Sequence, residues 1–363
     1  MKYEYTDSGI EWIGEIPKHW NLTTIKKEFL VIPSNVDKKT EDDETEVKLC
    51  NYVDVYYNDF INSSIDFMIA SATDNEINKF QLEVGDVLIT KDSEDPRDIA
   101  VPAFVTEVEE KLLCGYHLSM LRTINNSIDG SFLFWAFKDE VIVTQLWREA
   151  TGITRWAIAS RHIKNSTIPF PLKPEQIAIA KYLDKACADI DRVVEIKRKQ
   201  LINLQKQLKS IIHHTITNGL NPKSEMIESG IDWIGKTPKH WRKEKIFRAA
   251  EFVTSGGTPK STNEEYYYDG NIPWIQSGDL NDGYITETEK KITNDGLQNS
   301  SAKLFPKDTL LVAMYGATIG KLGIQTMEAA TNQACCAIFP VKRIALQYLY
   351  YFFLAIRDKY ISD

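Results

Sequence analysis

Few stretches of this sequence carry side chains that could do chemistry, and none completes a catalytic motif. Residues 315–321 form a glycine-containing loop ending in Lys321, but its spacing is one residue short of a phosphate-binding loop, and no Ser or Thr follows the lysine. His213 and His214 are adjacent, so on a helix their side chains diverge by about 100° and make a poor metal pair. A Walker A motif, an HExxH motif and a clustered carboxylate–lysine signature are absent. The sequence therefore predicts no catalytic residue and no metal site.

The composition is typical of a globular protein with two domains. The chain has 363 residues, 43% hydrophobic and 26% charged, with a net charge of −8, and a chain of this length normally folds around more than one core. No apolar run approaches the ~20 residues of a membrane span, and the N-terminus lacks the apolar core of a signal peptide. The five cysteines lie mostly in apolar runs without CxxC spacing, which indicates reduced core residues in a cytoplasmic protein.

A heptad pattern between 174 and 218 is the element around which the chain is organised. Mostly apolar residues recur there at alternating spacings of three and four: Ala180, Leu183, Cys187, Ile190, Val194, Lys197, Leu201, Leu204, Leu208, Ile211 and Thr215. Such a seam is typical of a helix that packs lengthwise on another helix. At 1.5 Å per residue this helix would be about 65 Å long. We predict a spacer between two globular bodies; the alternative is a core helix of one large domain.

An internal repeat predicts that the two bodies are copies of one domain. Residues 8–20 (SGIEWIGEIPKHW) and 229–241 (SGIDWIGKTPKHW) are identical at ten of thirteen positions, at an offset of 221. The predicted boundaries are 1–172 for the first domain, 173–219 for the helix and 220–363 for the second domain. We expect the motif's tryptophans to pack the entry of each copy against the base of the helix; docking of another subunit is the alternative.

Each copy combines strand-like runs with one apolar helical segment. The strand-like runs lie at 86–90, 103–108, 308–314 and 336–340, and the helical segments near 131–149 and 344–360. This pattern predicts an α+β fold of two homologous mixed α/β domains joined by a long coiled-coil-type helix, each domain built on a curved, mainly antiparallel sheet. By comparison with copy one, about seventy residues after the second helical segment, including a second long helix, are expected to be missing from copy two.

Several segments together resemble the specificity subunit of type I restriction–modification enzymes. They are the duplicated WIGxxPKHW motif, ITRWAIASRHIKNSTIPFPLKPEQIAIAKYLDKACADID at 153–191, GGTPKSTNEEYYYDGNIPWIQSGDL at 256–280 and ATNQACCAIFP at 330–340. The resemblance covers essentially the whole chain. It departs from the family pattern in lacking the second conserved helix, and copy one lacks the GGTP-type loop.

The resemblance implies a DNA-binding subunit without catalytic activity of its own. Each copy would be a target recognition domain for one half of a split double-stranded DNA site, and the helix would belong to an antiparallel pair that sets the gap between the halves. Modification subunits would methylate adenine and a restriction subunit would cleave. S-adenosylmethionine, ATP and Mg²⁺ are expected on those partners only.

In copy two, the candidates for DNA contact lie in polar or glycine-containing turns, where donors and acceptors can reach a groove. They are Thr258, Lys260, Ser261, Gln276, Ser277, Tyr315, Lys321, Asn332 and Gln333. Gln276 is a candidate for pairing with adenine, whereas Trp274 is expected in the core. An ordinary surface turn is the alternative for the 255–262 loop.

In copy one, the corresponding candidates are Lys91, Arg97, His117, Thr154, Arg155 and Arg161. We predict a phosphate contact for Arg155, which lies in a glycine-containing segment with Arg161. A solvated charged loop is the alternative for Arg97.

The seam of the long helix is expected to pair with another helix. The residues concerned are Leu183, Ile190, Val194, Leu201, Leu204, Leu208 and Ile211, and the partner would be a second copy of this chain or another polypeptide; coverage by the modification subunits alone is the alternative. The net negative charge favours a different function, a non-catalytic coiled-coil scaffold that pairs two protein partners.

Overall fold

The computed structural model describes residues 4–125 and 128–362, and it divides into two compact units, 1–194 and 195–363. The unbroken helix Lys173–Asn218 contributes residues to both units, so each unit is described separately. The predicted α+β class and the long helix are confirmed.

The first unit is built from short strands and short helices. Its strands are β1 (Tyr5–Asp7), β2 (Glu15–Pro17), β3 (Asn21–Thr24), β4 (Phe29–Pro33), β5 (Thr45–Cys50), β6 (Phe60–Ile61), β7 (Met68–Ala72), β8 (Val87–Thr90), β9 (Asp92–Ser93), β10 (Pro102–Val105), β11 (Leu112–Cys114), β12 (Leu118–Thr123), β13 (Thr151–Gly152), β14 (Trp156–Ala157) and β15 (Thr167–Phe170). Its helices are α1 (Ile25–Glu28), α2 (Tyr52–Tyr57), α3 (Asp74–Phe80), α4 (Gly130–Lys138), α5 (Glu140–Trp147), α6 (Ser160–Asn165) and the start of α7 (Lys173–Asn218).

Two sheets organise the first unit. The larger has the order β4-β12-β8-β10-β6, and all its neighbours are antiparallel except β10 and β6. The smaller has the order β11-β5-β7, with β11 and β5 parallel.

The second unit begins within α7 and repeats this plan. Its strands are β16 (Met226–Glu228), β17 (Lys236–Pro238), β18 (Ala250–Ser255), β19 (Ile272–Ile275), β20 (Gly283–Ile285), β21 (Lys291–Ile292), β22 (Lys303–Phe305), β23 (Leu310–Ala313), β24 (Leu322–Gln325), β25 (Ala329–Thr331) and β26 (Cys335–Pro340). Its other helices are α8 (Ile246–Ala249), α9 (Asn294–Gln298), α10 (Leu346–Ala355) and α11 (Arg357–Ser362).

The large sheets of the two units have the same strand order, and the smaller sheets share a parallel pair. The larger sheet of the second unit runs β18-β26-β23-β24-β20 with β20 and β24 parallel, and the smaller runs β21-β19-β25-β22 with β19 and β25 parallel. This shared topology confirms the duplication. The expectation of one mainly antiparallel sheet per copy needs correction, because each unit has two main sheets and a parallel pair in each.

The apolar helical segments are also divided differently from the prediction. In the first unit, Asp139 ends α4 and caps α5, its carboxylate accepting a hydrogen bond of 2.8 Å from the Val141 amide. One predicted helix is therefore two, because an aspartate at a helix end competes with the backbone for its donors. The second unit likewise has α10 and α11 in place of one helix.

The central strand of each large sheet is buried on both faces. In β8, Val87 and Ile89 pack with Leu133 on the helix-covered face, whereas Leu88 packs with Met120 on the other face. This follows from the two-residue period of a strand. In the second unit, Leu310 and Val312 pack with Leu349 of α10, whereas Leu311 and Ala313 belong to a different cluster.

The cysteines are free, as predicted. Cys50, Cys114 and Cys335 are buried, and burial, with smaller effects of Asp279 and Cys336, raises the pKa of Cys335 to about 12. A thiol with so high a pKa stays protonated and packs as a small apolar side chain. Within the described ranges, no helix combines the length and apolarity needed to cross a membrane.

The entry motif of each copy packs near one end of α7. In the second unit, a Cβ added at Gly219 would lie 3.1 Å from Cζ2 of Trp241, whose ring also meets Tyr348 at 6.5 Å between centroids. In the first unit, Nε2 of His19 lies 2.9 Å from Oε2 of Glu175 in the first turn of α7. These contacts support the structural interpretation of the motif.

An ion pair in the first unit provides a test of its core. Nε and Nη2 of Arg122 donate to the two oxygens of Asp86 at 2.8 and 2.7 Å, and Asp86 is only 1% exposed. We expect Arg122→Met to lower the free energy of unfolding by about 3–5 kcal/mol, because it leaves a buried carboxylate unpaired. Urea unfolding measures the loss. Lys18→Met is the control, since Lys18 makes an exposed pair with Glu4 worth at most about 1 kcal/mol; equal losses would contradict the prediction.

The pair Asp282–Arg357 in the second unit predicts a pH dependence of stability. Burial alone would raise the pKa of the Asp282 carboxyl, but hydrogen bonds from Arg357 and the Leu322 amide, with the nearby cationic charges, bring it below its ordinary value. A lowered carboxyl pKa gives stability that is present above the unfolded-state pKa of about 4 and is lost as the pH falls through the folded-state pKa.

We therefore expect Arg357→Met to flatten the loss of unfolding free energy below about pH 4. Urea unfolding over a pH series measures the slope. Arg343→Met, which removes an ion pair with Glu244 on the same unit, is the control. Identical slopes in the two variants would refute the assignment.

Candidate nucleic-acid interface

Loops of the first unit and helix α2 line an open cavity of about 420 Å³. The residues lining it are Lys38, Tyr52, Val53, Tyr56, Tyr57, Ser93, Glu94, Asp98, His117 and Arg155. They come from the loop before β5, from α2, from the segment after β8, from the β11–β12 link and from the β13–β14 hairpin. Two of the predicted contact residues, His117 and Arg155, are thus brought together.

Asp92 joins those two residues. Its Oδ1 accepts a hydrogen bond from Nε of Arg155 at 2.7 Å and is 2.7 Å from Nδ1 of His117. Nη2 of Arg155 lies 2.5 Å from the same oxygen. The Asp92 side chain is only 11% exposed, whereas that of Arg155 is 46% exposed. The buried carboxylate therefore holds the inner side of the guanidinium, and the other side faces outward.

Strand pairing places Arg155 beside Asp92. Residue Ala157 of β14 is opposite Asp92 of β9, and β14 folds back on β13 through the turn that contains Arg155. A Cβ at Gly152 would overlap the carbonyl oxygen of Arg155, so this turn requires glycine. Thr154, the neighbour of Arg155, is exposed.

Lys91 lies next to this cluster but is used internally. Its Nζ donates to the Ser34 carbonyl at 2.6 Å and is 4.7 Å from the ring centre of Tyr116. Burial lowers the pKa of Lys91, while the charge of Asp92 acts in the opposite direction. The ammonium is therefore engaged by the protein rather than presented to solvent.

Tyrosines of α2 form one wall of the cavity, and the sequence analysis did not identify them. The rings of Tyr52 and Tyr56 stack with centroids 5.5 Å apart, and Tyr57 is exposed beside them. The Tyr56 hydroxyl donates to Asp98 at 3.1 Å, and that of Tyr52 lies 3.1 Å from Oγ of Ser93. The run YVDVYY directly after a strand was the available signal.

Two predicted residues of the first unit lie apart from the cavity lining. Arg97 is exposed in a single 3₁₀ turn, Pro96–Asp98, and its amide donates to Asp95 at 2.8 Å. Arg161 is exposed on α6, with Nε 2.9 Å from Nε2 of His162.

In the second unit, residues with amide and hydroxyl side chains lie at the ends of β19 and β25. The Thr258 hydroxyl donates to Oε1 of Gln333, and the backbone N–H of Asn332 donates to the Ile275 carbonyl at 2.9 Å. Gln276 directly follows β19, and its backbone N–H donates to Oδ2 of Asp279 at 2.7 Å. Four predicted residues, Thr258, Gln276, Asn332 and Gln333, are therefore at one edge of the unit.

The other predicted residues of the second unit occupy nearby loops. Lys260 and Ser261 are exposed in the segment after Thr258, and Ser277 is partly exposed in the 3₁₀ turn Ser277–Asp279. Tyr315 and Lys321 are exposed at the two ends of the loop between β23 and β24. Trp274 is buried, with Nε1 3.2 Å from the Gly257 carbonyl, as predicted.

The two edges are equivalent positions of the repeated fold. The link from β11 to β12 is Gly115–His117, and the link from β25 to β26 is Asn332–Ala334. The backbone N–H of Gly115 donates to the Cys50 carbonyl at 2.8 Å, and the backbone N–H of Asn332 donates to the Ile275 carbonyl in the same way. The same edge therefore carries charged and aromatic groups in the first unit but amides and hydroxyls in the second.

The predicted seam lies on α7. Leu183 is partly buried, and the other six seam residues are 40–63% exposed: Ile190, Val194, Leu201, Leu204, Leu208 and Ile211. Among the residues with described coordinates, no group of three or more His, Cys, Asp or Glu side chains has the arrangement of a metal site.

Comparison with known proteins assigns the family. The profile of the type I restriction modification DNA specificity domain matches residues 20–205 and 238–362. The specificity subunit of the type I restriction enzyme MjaIX of Methanocaldococcus jannaschii is 37% identical over 134 residues, which are 36% of this chain and 30% of that subunit. The putative MjaX specificity subunit of the same organism is 24% identical over 94% of this chain and 77% of its own length.

Among solved structures, the HsdS subunit from Thermoanaerobacter tengcongensis has the same fold, with a TM-score of 0.59 and 17% sequence identity over 95% of this chain and 81% of that one. The family that the sequence resembles is confirmed by this assignment. The chain belongs to the type I restriction–modification DNA specificity family.

Proposed function

We propose that this chain reads a bipartite double-stranded DNA site, one half with each unit, and directs adenine methylation and DNA cleavage by partner subunits. The observation that carries the proposal is the duplicated edge, which presents different hydrogen-bonding groups on the same strand framework in the two units. Two equivalent frameworks with different loops are what two different half-sites require.

The connection between the units supports reading at a defined spacing. α7 is 46 residues long and continuous, so the link is helical, unlike a flexible Gly/Ser linker. Readers of two half-sites must match the helical repeat of B-DNA, about 34–36 Å. The boundaries at 172/173 and 219/220 stay predictions.

Partner subunits supply the chemistry in this proposal. Modification subunits would bring S-adenosylmethionine, and the restriction subunit would use ATP and Mg²⁺, while this chain contributes DNA contacts in the cytoplasm. The net charge of −8 means that attraction to DNA must come from local clusters rather than from the whole surface. A coiled-coil scaffold without DNA binding is the alternative that the charge favours.

The exposed seam of α7 is proposed to pair with a second long helix. Six large apolar residues that are 40–63% exposed form a stripe that is unfavourable in water. We propose that a second copy of this chain or another polypeptide covers the stripe, with the modification subunits as the alternative cover.

Variants of the second unit test DNA recognition. We expect Gln276→Ala to relax the preference at one base pair of one half-site by about 1–3 kcal/mol, because an amide pairs with a base edge. Lys260→Ala should weaken binding to all sequences and reduce the slope of log affinity against log salt by about 0.9, because one phosphate contact is lost. Site selection from random DNA, followed by binding at several salt concentrations, measures both effects.

Two results of site selection would contradict the proposed function. A wild-type chain, with its partner subunits, that selects no split site at moderate salt would favour the scaffold function. Selection of a single, undivided site would exclude reading by both units.

A substitution in the seam tests helix pairing. We expect light scattering to show wild-type chain as an oligomer and Leu204→Glu as a monomer, because a charge in an apolar seam cannot be buried without a partner. Asn203→Glu, at a neighbouring exposed position outside the seam, is the control and should remain an oligomer. A monomeric wild type would leave the modification subunits as the cover.

A further inference from the structure

We propose that Arg155, positioned by Asp92 and His117, reads a guanine in the half-site of the first unit. This inference rests on the proposed function and adds the residue and the base. It departs from the phosphate contact that the sequence suggested for Arg155.

The guanidinium is oriented before any ligand arrives. Nε and Nη2 of Arg155 both lie against Oδ1 of Asp92, at 2.7 and 2.5 Å, and His117 approaches the same oxygen at 2.7 Å. None of the hydrogen bonds between described residues uses Nη1. Nη2 also lies 3.2 Å from Nδ1 of His117. Since Nδ1 is 2.7 Å from Oδ1 of Asp92, the tautomer that donates to this carboxylate leaves Nδ1 without a lone pair for Nη2. In that tautomer, Nη1 and the remaining hydrogen of Nη2 form the donor edge that faces outward.

A guanine edge matches these donors. In the major groove guanine presents two acceptors, O6 and N7, whereas adenine and thymine each present one, N7 or O4, and cytosine presents only an amino donor. Because Asp92 already holds the guanidinium, with its fork of N–H donors, in one orientation, the side chain loses less conformational entropy on binding. An outward fork of donors with a buried carboxylate behind it thus favours guanine over the other bases.

The charges around the cavity argue against a phosphate. Arg155 is paired with Asp92, and the cavity lining holds two carboxylates, Glu94 and Asp98, beside two cations, Arg155 and Lys38, so the lining is not a concentration of positive charge. The Asp98 carboxylate accepts a hydrogen bond from the Tyr56 hydroxyl and lies 3.4 Å from Oγ of Ser93. These two contacts keep the negative charge of Asp98 at the cavity wall. A phosphodiester would be repelled by these carboxylates, whereas the neutral edge of a base is not.

The aromatic wall adds a reason for a base. Tyr52 and Tyr56 are stacked beside the arginine loop and are tied to Ser93 and Asp98 by their hydroxyls. Apolar rings at the cavity wall exclude water from the contact, which strengthens its hydrogen bonds. In the second unit the position equivalent to His117 is Ala334, so the arrangement belongs to the first unit alone.

The experiment selects sites from random duplex DNA with the full chain and its partner subunits, for wild type and variants. We expect the wild-type site to contain a guanine in one half whose preference falls about 10- to 100-fold in Arg155→Ala. Arg155→Lys should recover little of it, because an ammonium lacks the fork. Asp92→Asn, which retains size and acceptor but removes the charge, should reduce the preference at the same base pair only.

Controls separate the possible failures. Arg148→Ala removes an exposed arginine outside the cavity lining and should leave the guanine preference and the salt slope unchanged. Loss of affinity for all sequences with a reduced salt slope in Arg155→Ala would identify a phosphate contact and overturn the inference. An unchanged base preference in Arg155→Ala would overturn it too. A wild type that selects no site would instead contradict the proposed function. Circular dichroism confirms folding of the Asp92 variant, and Arg155→Ala, at a half-exposed position, decides the question independently.

Discussion

The constraint on which both units depend is the burial of one strand on two faces. β8 and β23 have apolar side chains on each side, so a helix layer must cover one face and a second sheet the other. The polar side chains of the candidate interface then lie mostly in the loops beyond the strand ends. The loops at one edge are then free to vary, because they contribute little to the core.

This separation of core and edge is compatible with the proposed recognition of two different half-sites by two copies of one unit. The large sheets keep the same order and both sheets keep their parallel pairs, while the link after the parallel strand is Gly115–His117 in one unit and Asn332–Ala334 in the other. Changing those side chains alters the hydrogen-bonding groups without touching the apolar clusters. A scaffold of this kind separates stability from specificity.

The first unit shows how a protein of negative net charge can present a cation. Asp92 lies beneath Arg155 and His117, so the guanidinium is exposed while its orientation is set from within. Local pairing also offsets the desolvation cost of the buried carboxylate. In the proposed interface, positive charge is placed locally at the contact, so the overall excess of acidic residues elsewhere does not decide the partner.

Sequence patterns alone determined the duplication, the long helix and the absence of a catalytic motif. These features depend on the order of residues along the chain: the repeated SGIxWIG motif and the heptad seam from Ala180 to Thr215 can be read directly from the sequence. The tertiary structure decided what depends on distant pairing, including the second sheet of each unit and the division of residues 131–149 at Asp139. Asp92 lies 25 residues from His117 and 63 from Arg155 in the chain, yet both approach one of its oxygen atoms. No pattern in the chain predicts that meeting, because it is set by strand register across β9 and β14, which only the folded structure fixes.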